Sequence, residues 1–234
     1  LYDATGEYKK MIDAMVSLYE KTEEEDYLDL NKFNKDKKYS MAVIKGKIAR
    51  GGDNIIWKVC LLQMYKSERE YIKELELLNG IIADYSEYIT LYEMRATCYS
   101  EMGMTDLALG DMTKCIELSD EENLAYYHAL RGDVYKNAGK YAEAIADFDK
   151  FIEFMPTYAY GYYAKGWCKE LSGDDKGAME CYEEGIAIND QYPYIYLMRG
   201  EMNLKWGNIE AARGDFERIL ELDTVAVSGS CRHY

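Results

Sequence analysis

The sequence holds only two prolines in 234 residues, so long uninterrupted helices are available to most of it, and runs of β-branched residues are few. An all-α chain is predicted. Histidine is nearly as rare, at His128 and His233, and the six cysteines (Cys60, Cys98, Cys115, Cys168, Cys181, Cys231) form no CxxC pair and no Cys/His cluster. That excludes the usual zinc sites. Five of those cysteines fall inside the apolar pattern described below, as small buried hydrophobes do, which suits a reducing compartment. No apolar run reaches the roughly 18 to 20 residues that span a bilayer, and the N-terminus, Leu1-Tyr2-Asp3, has no basic-then-apolar signal layout. A cytoplasmic location is expected, with a periplasmic or envelope-associated one as the alternative should a signal precede Leu1.

Basic side chains are outnumbered, 28 against 43 acids, and the net charge is -15. A phosphate backbone would be repelled, so nucleic acid is not an expected partner. Residues 1–54 are nearly balanced, with 11 acids and 10 bases, so the acidity belongs to residues 55–234. Within the first segment, Glu20, Glu23, Glu24, Glu25, Asp26 and Asp29 precede Lys32, Lys35, Lys37, Lys38, Lys45, Lys47 and Arg50. This pattern reads as a solvated linker and helix, or else as a docking site for an acidic partner.

What is present is a period. Arg131-Gly132, Lys165-Gly166 and Arg199-Gly200 recur every 34 residues, and Gly139, Gly173 and Gly207 follow them at a fixed offset, as do Ala144, Ala178, Ala212 and Phe148, Tyr182, Phe216. The register gives units 125–158, 159–192 and 193–226. A further unit fits at 89–122 before the extra Asn123 and Leu124, and a looser one at 55–88, where Leu62 and Glu74 replace small residues. Residues 6–21 (Gly6, Tyr8, Met11, Met15, Leu18) could form half of another. Apolar spacing within each unit predicts two amphipathic helices that approach closely at Gly132 and Ala144 and turn at Gly139. Pro156 stops the second helix.

The 34-residue period with Gly132, Tyr135, Gly139, Tyr141, Ala144, Phe148 and Pro156 resembles the tetratricopeptide repeat. The resemblance implies a right-handed α-solenoid of stacked helix-turn-helix hairpins over about residues 55–224, with a divergent helical segment at 1–54 and a tail at 225–234. The chain departs from the family pattern at Phe151 and Gly185, where alanine is usual.

Two sets of columns carry the functional expectations. Position 7 of the units reads Arg95, Arg131, Lys165, Arg199 and position 23 reads Asp111, Asp147, Cys181, Asp215, so arginine accompanies aspartate and is lost with it. A guanidinium can bridge a carboxylate with two hydrogen bonds and an ammonium cannot, so the joint change reads as an ion pair between the two helices of a unit. The resemblance also implies that positions 2, 5, 9 and 12 face an inner groove. On this sequence they give Tyr126, Ala129, Asp133 and Lys136, then Tyr160, Tyr163, Trp167 and Glu170, then Tyr194, Leu197, Glu201 and Leu204. Tyrosine and tryptophan offer rigid area with a polar tip. The expected site is therefore Tyr126, Asp133, Tyr160, Tyr163, Trp167, Tyr194, Leu197 and Glu201, holding a protein or peptide with apolar or aromatic anchors and basic flanks. The alternative is that the tyrosines only pack between units.

The Lys, Asn and Arg constellation with which some family members grip acidic tails is missing at Thr90, Glu93, Met94 and Thr97 and at Tyr126, Ala129, Leu130 and Asp133. No nucleophile–base pair, metal cluster or phosphate loop stands out: His128 falls in a helix-packing column, and Gly51-Gly52 reads as a turn. No catalytic residue, metal or cofactor is expected. An interaction scaffold is the leading reading, with a structural subunit of an envelope or secretion complex as the alternative and catalysis disfavoured.

Overall fold

A computed structural model describes residues 10–17, 20, 30–51 and 55–230, with the side chains of 30–31 and 223–230 excluded. Gly6, Tyr8, Leu18, Glu23 to Asp26, Asp29, Gly52, Cys231 and His233 lie outside the described residues. Every regular element among those described is helical, and the chain divides into two compact units, Leu1–Gly103 and Met104–Tyr234.

In the first unit, residues 10–17 are helical and are followed by α1 (Leu30–Phe33), a 3₁₀ turn (Asn34–Asp36), α2 (Lys37–Ala49), α3 (Ile55–Ser67), α4 (Tyr71–Asp84) and α5 (Ile89–Glu101). Ile12, Met15, Val16, Phe33 and Ile44 are buried together with Trp57, Cys60, Leu61 and Met64. The segment expected as a linker therefore shares one core with the first helix of the register. Ser40 helps fix the α1–α2 corner, its hydroxyl donating to the carbonyls of Phe33 (2.8 Å) and Asp36 (2.9 Å). Two of the basic residues read as a possible docking strip are held intramolecularly, Lys37 by Glu68 and Lys47 by Glu20. Gly51, at φ +80°, follows the end of α2, as its reading as a turn requires.

The second unit contains α6 (Thr105–Leu118), α7 (Glu121–Asn137), α8 (Tyr141–Phe154), α9 (Ala159–Leu171), α10 (Asp175–Ile188), α11 (Pro193–Lys205) and α12 (Ile209–Ser230). Helices α7 and α8, α9 and α10, and α11 and α12 pack as hairpins, and each hairpin stacks on the next through α8–α9 and α10–α11. This is an α-solenoid arrangement. The turns are left-handed glycines, Gly139, Gly173 and Gly207, at φ +73°, +89° and +79°. Any other residue there would be strained. After Gly139 the Lys140 amide reaches back to the Tyr135 carbonyl at 2.9 Å, satisfying one of the last carbonyls of α7.

The two departures at Phe151 and Gly185 are halves of a volume exchange between hairpins. Phe151 is buried, and a Cβ at Gly161 on the next helix would lie 2.7 Å from its ring. One hairpin farther on the sizes reverse: a Cβ at Gly185 would collide with Ile195, which is fully buried. Large against small is conserved in volume while the sides change, as close packing demands.

Candidate interaction groove

Buried ion pairs knit two of the three hairpins α7–α8, α9–α10 and α11–α12. Asp147 on α8 is 3% exposed and receives Arg131 through Nε (2.8 Å) and Nη2 (2.8 Å), with His128 Nδ1 also at 2.8 Å. Asp215 on α12 is held likewise by Arg199, with Nη2 at 2.6 Å and Nε at 3.1 Å, and by Asn203 at 3.2 Å. Lys165, whose own column has Cys181 in place of the acid, turns instead to Asp149 of the preceding hairpin at 2.7 Å.

That substitution exposes a second set of partners two columns beyond the first. Arg131 Nη1 donates to Thr113 at 3.1 Å, and in the other compact unit Arg95 donates to Asn79 at 2.7 Å. Asn79, Thr113 and Asp149 all stand at position 25 of their units. Arg131 thus meets both its own position 23 and the previous hairpin's position 25, whereas Lys165 meets only the latter and Arg199 pairs with the former. Sequence comparison misses this because asparagine, threonine and aspartate share an acceptor oxygen and no letter.

On the groove side, the three tyrosines of position 2 look equivalent in sequence and are not equivalent in space. Tyr126 and Tyr194 stand out into solvent, 48% and 58% exposed. Tyr160 lies down: its hydroxyl donates to Asp133 Oδ2 at 2.6 Å and its ring meets Phe148 and Phe151 edge-on at 6.2 and 5.7 Å. Burial and the neighbouring carboxylate raise its hydroxyl pKa well above the ordinary 10. Tyr160 is therefore largely a packing residue, and Asp133 is largely consumed by it and by Lys136, whose Nζ lies 2.7 Å from the other oxygen.

Lys136 also sits 4.4 Å from the centre of the Trp167 ring. The pair forms a cation–π floor in mid-groove. Tyr163 is the hub above it, with ring centres of Tyr160, Trp167, Tyr192 and Tyr194 at 5.7 to 6.2 Å. Tyr192, which lies outside the columns expected to face the groove, joins this cluster, and burial beside the other phenols pushes its pKa up to about 12. Leu197 and Glu201 on α11 are exposed, while Glu170 accepts from Tyr182 at 3.1 Å.

Between α7 and α9 the groove deepens into a cleft of about 370 Å³ whose lining includes Ala125, Tyr126, Ala129, Phe151, Tyr158 and Tyr160, with Glu122 and Asp133 as its only charged residues. Among the described residues no group of three or more His, Cys, Asp or Glu side chains could hold a metal ion, and no helix is long and apolar enough to cross a membrane.

Models of the tetratricopeptide repeat match residues 125–158 and 159–192. Among curated proteins, a TPR repeat-containing protein of Methanocaldococcus jannaschii is 27% identical over 115 residues, covering 49% of this chain and 20% of that protein. RNA polymerase II-associated protein 3 of Xenopus laevis is 30% identical over 130 residues, covering 53% of this chain and 17% of that one. A lipoprotein NlpI homolog of Haemophilus influenzae is 24% identical over 136 residues, 58% of this chain and 43% of that one. The chain thus spans less than half the length of these relatives. Among solved structures, a tetratricopeptide repeat protein from Parabacteroides merdae superposes with a TM-score of 0.65 at 18% identity, covering 92% of this chain and 79% of that one. MamA from Desulfovibrio magneticus gives 0.61 at 16% identity, covering 74% and 97%.

Proposed function

We propose that this tetratricopeptide-repeat protein is a non-catalytic interaction scaffold whose α7–α9–α11 groove holds an extended or helical segment of a partner protein. The observation that carries the reading is the placement of Tyr126, Tyr194 and Leu197: large side chains, exposed, on helices immobilised by the Arg131–Asp147 and Arg199–Asp215 pairs. Exposed aromatic area on a rigid support is what hot spots require, because little side-chain or backbone freedom is lost on binding. Glu201 and Glu122 remain exposed beside these residues, so basic flanks on the partner are favoured and binding weakens as salt rises. The five described cysteines are buried, as small hydrophobes of a reducing, cytoplasmic setting would be.

The test is quantitative capture of partners by the wild-type chain and by Tyr126→Ala, Tyr194→Ala and Leu197→Ala, with Lys150→Ala on the exposed side of α8 as control. Each groove change is expected to weaken a captured partner about 5-fold or more, and the control to leave it alone. Partners held equally by all four variants place the site off the groove. A second reading, a structural subunit of an envelope assembly, draws on the likeness to the Haemophilus influenzae lipoprotein. Cell fractionation separates the two, since a membrane-associated native protein favours the second.

A further inference from the structure

Position 5 of the three groove-lining units reads Ala129, Tyr163, Leu197, and the position-2 tyrosines that follow the first two, Tyr160 and Tyr194, take different postures. Where position 5 is Tyr163, that ring fills the interface against Tyr192 (5.7 Å) and Tyr194 (6.2 Å) and leaves Tyr194 standing in solvent. Where it is Ala129, Tyr160 folds down onto Asp133 and a hole opens above the alanine. Ala125, Ala129 and Phe151 pack together as its buried floor, with Tyr160 half-buried against them. Tyr126 and Tyr158, 48% and 54% exposed, stand as its walls.

A second feature belongs to the same place. Helix α7 has 17 residues, whereas its counterparts α9 and α11 have 13. Its additional first turn, capped by Asp120 accepting from the Asn123 amide at 3.1 Å, carries Glu122 to the lip of the hole. The other charged residue there, Asp133, already serves Lys136 and Tyr160. Glu122, exposed, is therefore the charge that an arriving chain meets.

Resting on the groove reading, we infer that this cleft is a single-side-chain anchor pocket for a partner segment in which Leu, Met or Phe is adjacent to Lys or Arg, with Ala129 as the specificity-determining residue. About 370 Å³ lies near the lower end of the roughly 300 to 1,000 Å³ of small-ligand clefts, which is room for one large side chain and not for a folded element. The floor is hydrocarbon and aromatic, so a polar anchor would lose its hydration without replacement. A cation next to the anchor reaches Glu122, and the net charge of -15 strengthens that preference at low salt.

The experiment uses fluorescein-labelled nine-residue peptides with Phe, Leu or Ala at the centre, flanked by Lys and Arg, and a Phe peptide flanked by Glu. Fluorescence anisotropy reads their binding to the full chain. Phe and Leu peptides are expected to bind at least about 10-fold more tightly than the Ala peptide, from the apolar area they bury. Basic flanks are expected to outbind acidic ones by a margin that shrinks with salt. Ala129→Leu and Ala129→Tyr install the residues that the same column already holds in the next two hairpins. Each should erase the preference for Phe over Ala while the helical melting curve is kept. Should both lower the melting temperature, Glu122→Lys on the exposed turn decides, by reversing the flank preference. Retained Phe selectivity in Ala129→Leu with weakened binding in Tyr194→Ala overturns the pocket and leaves the groove standing. Binding untouched by either change overturns the groove as well, and failure of every peptide to bind at millimolar protein overturns the pocket.

Discussion

Removing Arg131 tests whether position 7 is structural. In the folded protein Asp147 is 3% exposed and takes two guanidinium N–H bonds at 2.8 Å, one from Nε and one from Nη2, while Nη1 reaches Thr113. Arg131→Ala strands that carboxylate between α7 and α8 with His128 as its remaining partner. Stripping one member from a buried pair costs about 3 to 5 kcal/mol. The Arg131 side chain is 19% exposed and water can enter in its place, so about 2 to 4 kcal/mol is expected. Urea unfolding followed by tryptophan emission reads the loss, since Trp167 and Trp206 lie in the same compact unit as the pair. The chain also supplies its own rescue. The Lys165/Cys181 combination works because Asp149 of the preceding hairpin takes the ammonium. Arg131→Lys with Asp147→Cys should therefore destabilise alone, and adding Thr113→Asp should recover about half or more of the loss. An Arg131→Ala midpoint equal to wild type, or a triple variant no better than the double, would refute the two-column reading.

Glu74 stands 2% exposed in the column that elsewhere holds Ala108, Ala144, Ala178 and Ala212, and burial raises its carboxyl above the ordinary 4.5. As pH rises from that value the unfolded chain loses this proton first, so the group subtracts stability until the folded carboxyl also ionises. Glu74→Gln should therefore unfold at higher urea at pH 7, with the advantage closing below about pH 4; a constant difference across pH would contradict this. At Gly161 a methyl gains helix propensity of about 1 kcal/mol but overlaps Phe151 and Ile152, for which about 1 to 3 kcal/mol of overpacking is expected. Gly161→Ala should thus be neutral to destabilising in Phe151 and less costly in a Phe151→Ala background, where only the Ile152 overlap remains, and equal effects in both would show no contact between the two sites.

The hairpins were legible because their signal repeats: glycine, alanine and aromatic columns recur at one spacing, and each recurrence is an independent vote. Arg131–Asp147 and Arg199–Asp215 were legible for the same reason, and the Lys165/Cys181 exception strengthened them. Residues 10–51 lack that repetition. The burial of Ile12, Phe33 and Ile44 against Trp57 is decided by tertiary packing that no period announces. Relations between successive hairpins were also hidden. Phe151 and Gly185 looked like defects within their own units, and only the neighbours Gly161 and Ile195 turn them into matched pairs.

The groove follows the same logic one step further. Reading down position 2 alone gives three tyrosines with one role, whereas reading Tyr160 and Tyr194 against position 5 of the preceding unit gives two different ones. Beside Ala129, Tyr160 is part of the wall, and beside Tyr163, Tyr194 remains surface. A solenoid can therefore vary its binding face without touching the residues that do the binding, because the size of a partly hidden neighbour sets their posture. Ala129→Tyr should accordingly lift Tyr160 off Asp133 and bring its phenol down toward the ordinary 10, a change that ultraviolet titration of tyrosinate can follow. A Tyr160 that still resists ionisation in the Ala129→Tyr variant would mean that Asp133 and Phe151 hold it down unaided, and that position 5 does not govern the face.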